Sequence, residues 1–153
     1  MTDLICEQPV FILLIEDSDA DAELAIRALR RSRISNQIQL LRDGAEALDF
    51  LFCRGIYSDR QIIDQPKIIL LDLKLPKVSG LEVLQQIKAD PRTQMIPIVM
   101  LTSSAQDSDI LKSYQLGVNS YIVKPIDFEQ FNQAVEQLGL YWVLINKTPV
   151  VQA

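Results

Sequence analysis

Apolar residues along this chain follow two rhythms, short unbroken runs and longer stretches with helical spacing. Residues 10–15 are wholly apolar and predict a first strand. The segment Glu16-Asp17-Ser18-Asp19-Ala20-Asp21 then crowds four acids into six positions. Helical spacing runs on to about residue 31, with Ala22, Ala25, Ile26 and Leu29 on one face. Residues 37–41 predict a weaker strand. Asp43 and Glu46 open a helix as a capping box, with Leu48, Leu51 and Phe52 facing inward. Residues 55–66 are polar and aperiodic, which predicts a surface insertion.

Residues 67–71 predict the central strand, four consecutive apolar residues after Lys67 that end on a single carboxylate, Asp72. A strand apolar on both faces belongs inside a parallel sheet covered by helices. Pro76 and Gly80 break the chain, and Ser79 with Glu82 caps a helix that Asp90-Pro91 stops. Residues 96–101 predict a fourth strand, with Pro97 near its start, where proline is tolerated. The helix over 107–116 closes on Gly117, and residues 120–123 predict the fifth strand, ending in Lys124-Pro125. A last helix starts near Asp127, with Phe128, Phe131, Val135 and Leu138 on one stripe. Strands and helices in alternation predict one α/β domain with a doubly wound, five-stranded parallel sheet.

Composition narrows the function. At 153 residues the chain can bury a sizeable core, and 48% hydrophobic with 23% charged content is ordinary for a globular protein. No apolar run has the length of a membrane span and no basic leader precedes one, so a cytoplasmic protein is expected. A net charge of −5 argues against a nucleic-acid partner, and the local Arg27, Arg30, Arg31, Arg33 cluster reads as a solvated face. Cys6 and Cys53 are too few for a disulfide framework or a zinc site. The chain has no histidine, which removes histidine-based nucleophilic schemes and any histidine phosphocarrier role.

The strand ends carry the candidate chemistry: Glu16 and Asp17, then Asp72, then Thr102, then Lys124. A parallel sheet delivers these ends to one edge, where open α/β sheets keep their ligands. Asp17 beside Asp72 is a like-charge pair, and two charges at about 4 Å repel by about 4 kcal/mol at an effective dielectric of 20. Mg²⁺ relieves that repulsion and leaves coordination sites for phosphate oxygens. Asp72 is then a candidate nucleophile toward phosphorus, forming an acyl phosphate. Lys124 offers a compact positive charge to one phosphoryl oxygen, and Thr102 a hydroxyl to another. Each signal alone has an ordinary reading. Acids favour a helix start, Thr-Ser-Ser caps helices, and Lys-Pro turns. Their joint placement at successive strand ends is what favours a site.

Four motifs in this order, Ile15-Glu16-Asp17, Leu71 to Pro76 with Gly80, Leu101-Thr102-Ser103 and Tyr121 to Pro125, resemble a two-component response regulator receiver domain. The resemblance implies a flavodoxin-like fold with strand order 2-1-3-4-5. It also implies a phosphoacceptor signalling protein and not an enzyme, with Mg²⁺-dependent self-phosphorylation and self-dephosphorylation. Asp72 would accept a phosphoryl group from a partner histidine kinase. Asp17, Asp72 and the carbonyl of Lys74 would hold Mg²⁺, with Glu16 helping through a water. Thr102, Ser103 and Lys124 would bind phosphoryl oxygens, Tyr121 would switch with Thr102, and Lys124–Pro125 would be cis. Glu16 is one methylene longer than the commoner Asp, and Lys74 brings a positive chain to the rim.

Residues 50–57 and 137–142 are similar to the single-domain regulators of cyanobacterial and bacterial phytochromes, which implies a phytochrome kinase as partner. The receiver is expected over 1–145, with a tail over 146–153 and no output domain. Residues 140–145, Leu-Tyr-Trp-Val-Leu-Ile, overfill one helical stripe and predict an exposed apolar surface. A homodimer through Phe131, Leu138, Leu140, Tyr141, Trp142 and Val143 is expected, against a tail folded on its own domain. Two functions stay open, a phosphorylatable receiver and a docking module that works without phosphorylation. An Asp-x-Asp phosphatase is disfavoured, because Lys74 stands where the second acid would act.

Overall fold

A computed structural model describes residues 11–31, 37–125 and 127–137. The strands β1 (Phe11–Ile15), β2 (Gln37–Leu41), β3 (Ile68–Leu71), β4 (Ile98–Thr102) and β5 (Ser120–Val123) form one sheet ordered β2-β1-β3-β4-β5. Every pairing is parallel. Helices α1 (Asp19–Arg31), α2 (Gly44–Leu51), α3 (Gly80–Ala89), α4 (Asp107–Gln115) and α5 (Phe128–Gln137) connect and follow them. This is the doubly wound parallel sheet expected from the strand runs, in the flavodoxin-like order that the receiver resemblance implies.

Side chains alternate across a strand, so an apolar run feeds two cores at once. Leu13, Ile15, Ile69, Leu71, Ile98 and Met100 pack with residues of α2 and α3 on one face. Ile12, Leu14, Ile68, Leu70, Val99 and Leu101 pack with α1 and α5 on the other. β3 is fully buried, as a central strand covered on both sides must be.

Local chemistry ends the helices where the sequence places the signals. Asp43 caps α2 by accepting the Glu46 amide at 2.7 Å, and Ser79 caps α3 by accepting the Glu82 amide at 3.3 Å. Gly117 has φ +101°, and the Gly117 and Val118 amides donate to the carbonyls of Tyr114 and Ser113. That double bond is the Schellman closure of α4.

Two expectations shift. α2 ends at Leu51, so Phe50 is buried while Phe52 becomes the C-cap and is only half-buried, its ring flanked by Arg54 and Arg92. β4 begins at Ile98 and takes in Thr102. The 55–66 segment lies mostly on the surface, as expected, but Tyr57 and Arg60 anchor it. It opens with a short 3-10 turn, Gly55–Tyr57, and the Tyr57 ring meets Phe50 edge-on at 5.1 Å. The Tyr57 hydroxyl donates to Glu46 at 2.6 Å, and the Arg60 guanidinium lies 3.7 Å over Phe50. Polar residues hide this packing from a hydrophobic-period reading, because Arg and Tyr bury stems and rings while their heads find partners.

Candidate functional site

β1 and β3 are neighbours with Ile15 opposite Leu71, so the residues that follow, Glu16 and Asp72, leave the sheet side by side. The Asp72 amide donates to the Ile15 carbonyl at 3.1 Å, and the Glu16 amide to Leu41 at 2.9 Å. Here the strand order turns back, with β2 on one side of β1 and β3 on the other, which is the switch point of such sheets. β4 and β5 end together with Thr102 opposite Val123, and the Lys124 amide donates to the Thr102 carbonyl at 2.7 Å. The Lys124–Pro125 peptide is cis.

Carboxylate oxygens of Glu16, Asp17 and Asp72 all lie within 4.8 Å of one another. Lys124 reaches in from β5. Its Nζ is 2.5 Å from Glu16 Oε1, 2.9 Å from Asp21 Oδ2 and 3.2 Å from Asp72 Oδ2. Glu16 and Asp72 are buried and Asp17 is exposed. Glu16 also accepts the Ser18 amide at 3.2 Å, and Asp72 Oδ1 accepts the Lys74 amide at 3.3 Å while the Lys74 residue is exposed. The extra methylene of Glu16 thus serves a contact with Lys124.

Thr102 is fully buried, and its hydroxyl oxygen accepts the Ser104 amide at 3.3 Å. Ser103 is exposed. The half-buried Tyr121 donates its hydroxyl to the Ser104 carbonyl at 2.8 Å, tying β5 to the loop after β4.

Two residues were missed by sequence reasoning. Asp21 was one of four acids in a run, and only its place one helical turn past Asp17 could have turned it toward Lys124. Ser104 is buried and joins Thr102, Tyr121 and Asp109, its hydroxyl donating to Asp109 at 2.5 Å. No pattern in the chain marks it.

One expected interface residue is corrected. Phe131 is fully buried in its own domain with Ile12, Leu14, Leu101 and Ile122, so its ring is not offered to a second copy. Leu138, Leu140, Tyr141, Trp142 and Val143 lie outside the described residues.

The charges are unbalanced. Four carboxylates, Glu16, Asp17, Asp21 and Asp72, gather near one ammonium. Burial pushes the Glu16 carboxyl up to about 7, opposed by the hydrogen bond from Lys124 and reinforced by the charge of Asp72. Burial alone would lower the Lys124 ammonium, but hydrogen bonds to Glu16 and Asp21 and the charge of Asp72 hold it above its usual range. The two shifts are compatible. Lys124 keeps its proton, and burial, helped by the charge of Asp72, favours a proton on Glu16.

Clustered carboxylate oxygens are the donor set of a hard divalent cation, so the residues present fit one. A cation must displace the Glu16 proton. Glu16 has its folded value raised from 4.5 to about 7, so its contribution to stability is full below 4.5 and lost as pH rises through about 7. Cation affinity runs the other way. Titration calorimetry with Mn²⁺ should show affinity falling about tenfold between about pH 8 and about pH 6. A flat profile would mean that Glu16 is ionised throughout.

Fold and site together define a class: a doubly wound α/β domain with a carboxylate cluster and one lysine at the switch point. Residues 12–136 match the response regulator receiver domain model, and the chain belongs to that family. The solved bacteriophytochrome response regulator RtBRR is 50% identical, covering 94% of this chain and 86% of its own at a TM-score of 0.82. Response regulator Rcp1 of Synechocystis sp. is 40% identical over 88% of this chain and 90% of its own. Its Mn²⁺-bound structure aligns over 93% of this chain and 100% of that one, at a TM-score of 0.73. The probable methanogenesis regulatory protein FilR2 of Methanothrix harundinacea is 44% identical over 95% of this chain and 92% of its own.

Proposed function

We propose that this receiver takes a phosphoryl group onto Asp72 from the phosphohistidine of a partner kinase, in a Mg²⁺-dependent step, and signals by protein–protein contact in the cytoplasm. One observation carries the reading. The buried Asp72 carboxylate sits 3.2 Å from the Lys124 ammonium and beside the carboxylates of Glu16 and Asp17. Asp72 and Asp17, with the Lys74 carbonyl and Glu16 nearby, would hold the cation. When bound, Mg²⁺ would offset the charge on the transferring phosphoryl oxygens.

The remaining roles belong to the chain's own side chains. Asp72 enters as a carboxylate, so it needs no general base to attack phosphorus. Lys124 turns its ammonium from the Asp72 oxygen to a phosphoryl oxygen, and Thr102 offers its hydroxyl to another. Ser103 stands next to it in the chain. Thr102 moving toward the phosphoryl group would release Ser104, and with it the bond from Tyr121, which gives the proposed switch a physical route.

Similarity to RtBRR supports a phytochrome kinase as the partner, while FilR2, at 44% identity, carries a name from another process. The dimer is proposed through the end of α5 and the 138–145 segment, without Phe131. No helix among the described residues is long and apolar enough to cross a membrane.

Acetyl phosphate with Mg²⁺ should add the mass of one phosphoryl group to the intact protein, and chelation should stop it. A phosphorylated phytochrome kinase should transfer faster than a kinase of another input class. The competing reading is docking without phosphorylation, left open by Glu16 and Lys74. No mass gain from either donor would favour that reading instead.

A further inference from the structure

The Lys124 ammonium stands among three carboxylates: it donates to Asp21 at 2.9 Å and to Asp72 at 3.2 Å, and it pairs with Glu16 at 2.5 Å. Two of those partners have other work. Glu16 and Asp72 belong, with Asp17, to the carboxylate group able to hold a cation. Asp21 stands outside that group, in the first turn of α1. The turn is itself fixed, because the Ser18 hydroxyl oxygen accepts the Asp21 amide at 3.2 Å and the Ser18 carbonyl accepts the Ala22 amide at 2.9 Å. The Asp21 side chain is 39% exposed, against 11% for Lys124, so it approaches the ammonium from the solvent side.

We propose that Asp21 is a positioning residue for phosphoryl uptake, holding one N–H of Lys124 so that the other donors face the phosphoryl oxygens on Asp72. The proposal rests on the phosphoacceptor reading above and extends it to a residue outside the cation-binding group. Cation binding draws on Glu16, and phosphorylation consumes the Asp72 oxygen. Asp21 is the partner that neither event takes away. A lysine stem is flexible, and without that anchor the ammonium redistributes over Glu16 and Asp72. It then covers the nucleophile and loses its aim.

The step itself is balanced. An unprotonated Asp72 oxygen forms a bond to the phosphorus of acetyl phosphate, the donor's bridging P–O bond breaks, and acetate leaves with the electron pair. No proton moves.

The test uses the full chain as wild type, Asp21→Ala and Asp21→Asn, in two arms. The first follows phosphoryl mass gain at saturating Mg²⁺ over a range of acetyl phosphate concentrations. Asp21→Ala should slow the limiting rate about fivefold, with the half-saturating donor concentration unchanged. Asp21→Asn should come within about twofold of wild type, because its amide oxygen still accepts from the ammonium. The second arm needs neither metal nor donor. Reductive methylation, read by peptide mass against Lys112 as reference, should modify Lys124 about fivefold faster in Asp21→Ala.

Faster uptake in both variants would overturn the proposal and make Asp21 a repelling charge. Wild-type rates and labelling in Asp21→Ala would remove any role. If wild type takes no phosphoryl group, the phosphoacceptor reading fails first. The labelling arm then still decides whether Asp21 holds Lys124.

Discussion

Replacing Asp72 with asparagine should abolish the proposed phosphoryl uptake and make the metal-free protein more stable. The two effects have one cause. Asp72 is buried beside Glu16 and Asp17, and repulsion between two carboxylates at about 4 Å is about 4 kcal/mol at an effective dielectric of 20. Against that gain stands the weakened bond from Lys124, now 3.2 Å from a charged oxygen, and a hydrogen bond to a charged group is worth about 1.5–3 kcal/mol. Asparagine keeps the shape and still accepts the Lys74 amide through its oxygen, so no new hole opens. The net gain is about 1–2 kcal/mol, or roughly 2–8 °C in melting temperature for a domain of this size.

The measurements are thermal melting in chelator and intact mass after acetyl phosphate with Mg²⁺. A retained mass gain in Asp72→Asn would move the acceptor elsewhere. A lowered melting temperature would mean that the Lys124 bond outweighs the repulsion. Stability given up at a site whose like charges wait for a ligand is the usual trade between function and folding.

Gly80→Ala should damage the fold although the change is conservative. Gly80 is the first residue of α3, where alanine would ordinarily gain about 1 kcal/mol in helix propensity. Packing reverses the sign. A Cβ there would stand 2.0 Å from the Asp72 carbonyl oxygen and 2.8 Å from Leu73 Cα, both backbone atoms that no rotamer can clear. The Gly80 amide also donates to the Leu73 carbonyl at 2.8 Å, so α3 cannot retreat without breaking the turn.

The expected loss is about 3 kcal/mol, read as a lower urea midpoint with unchanged slope. Because the clash falls on the backbone of Asp72 itself, phosphoryl uptake should slow as well. An unchanged midpoint would mean that the β3–α3 loop yields freely, and the close packing would then carry no weight in stability.

The chain's alternation of runs was enough to give five parallel strands, and its apolar runs the burial of β1, β3 and β4 on both faces. Capping at Asp43, Ser79 and Gly117 was equally plain, because those signals act within a few residues. The convergence of Asp17, Asp72 and Lys124 could also be anticipated, since parallel strands must bring their carboxyl ends to one edge. Short-range patterns and topology suffice for all of these.

Other features were settled only by three-dimensional packing. Asp21 in an acidic run looked like a favourable charge at a helix start, and only the fold put Lys124 within 2.9 Å of it from 103 positions away. Ser104 carries no sequence signal, because its role is to fill a gap between β4, β5 and α4. The 55–66 segment read as a surface insertion, and only the fold showed Phe50 under Tyr57 and Arg60 anchoring it. Phe131 fitted an exposed stripe as well as a core one until the α1 side of the sheet closed over it. Periodicity along a chain fixes which faces are apolar. Which partner meets a polar or amphipathic side chain is decided by distances that only folding sets.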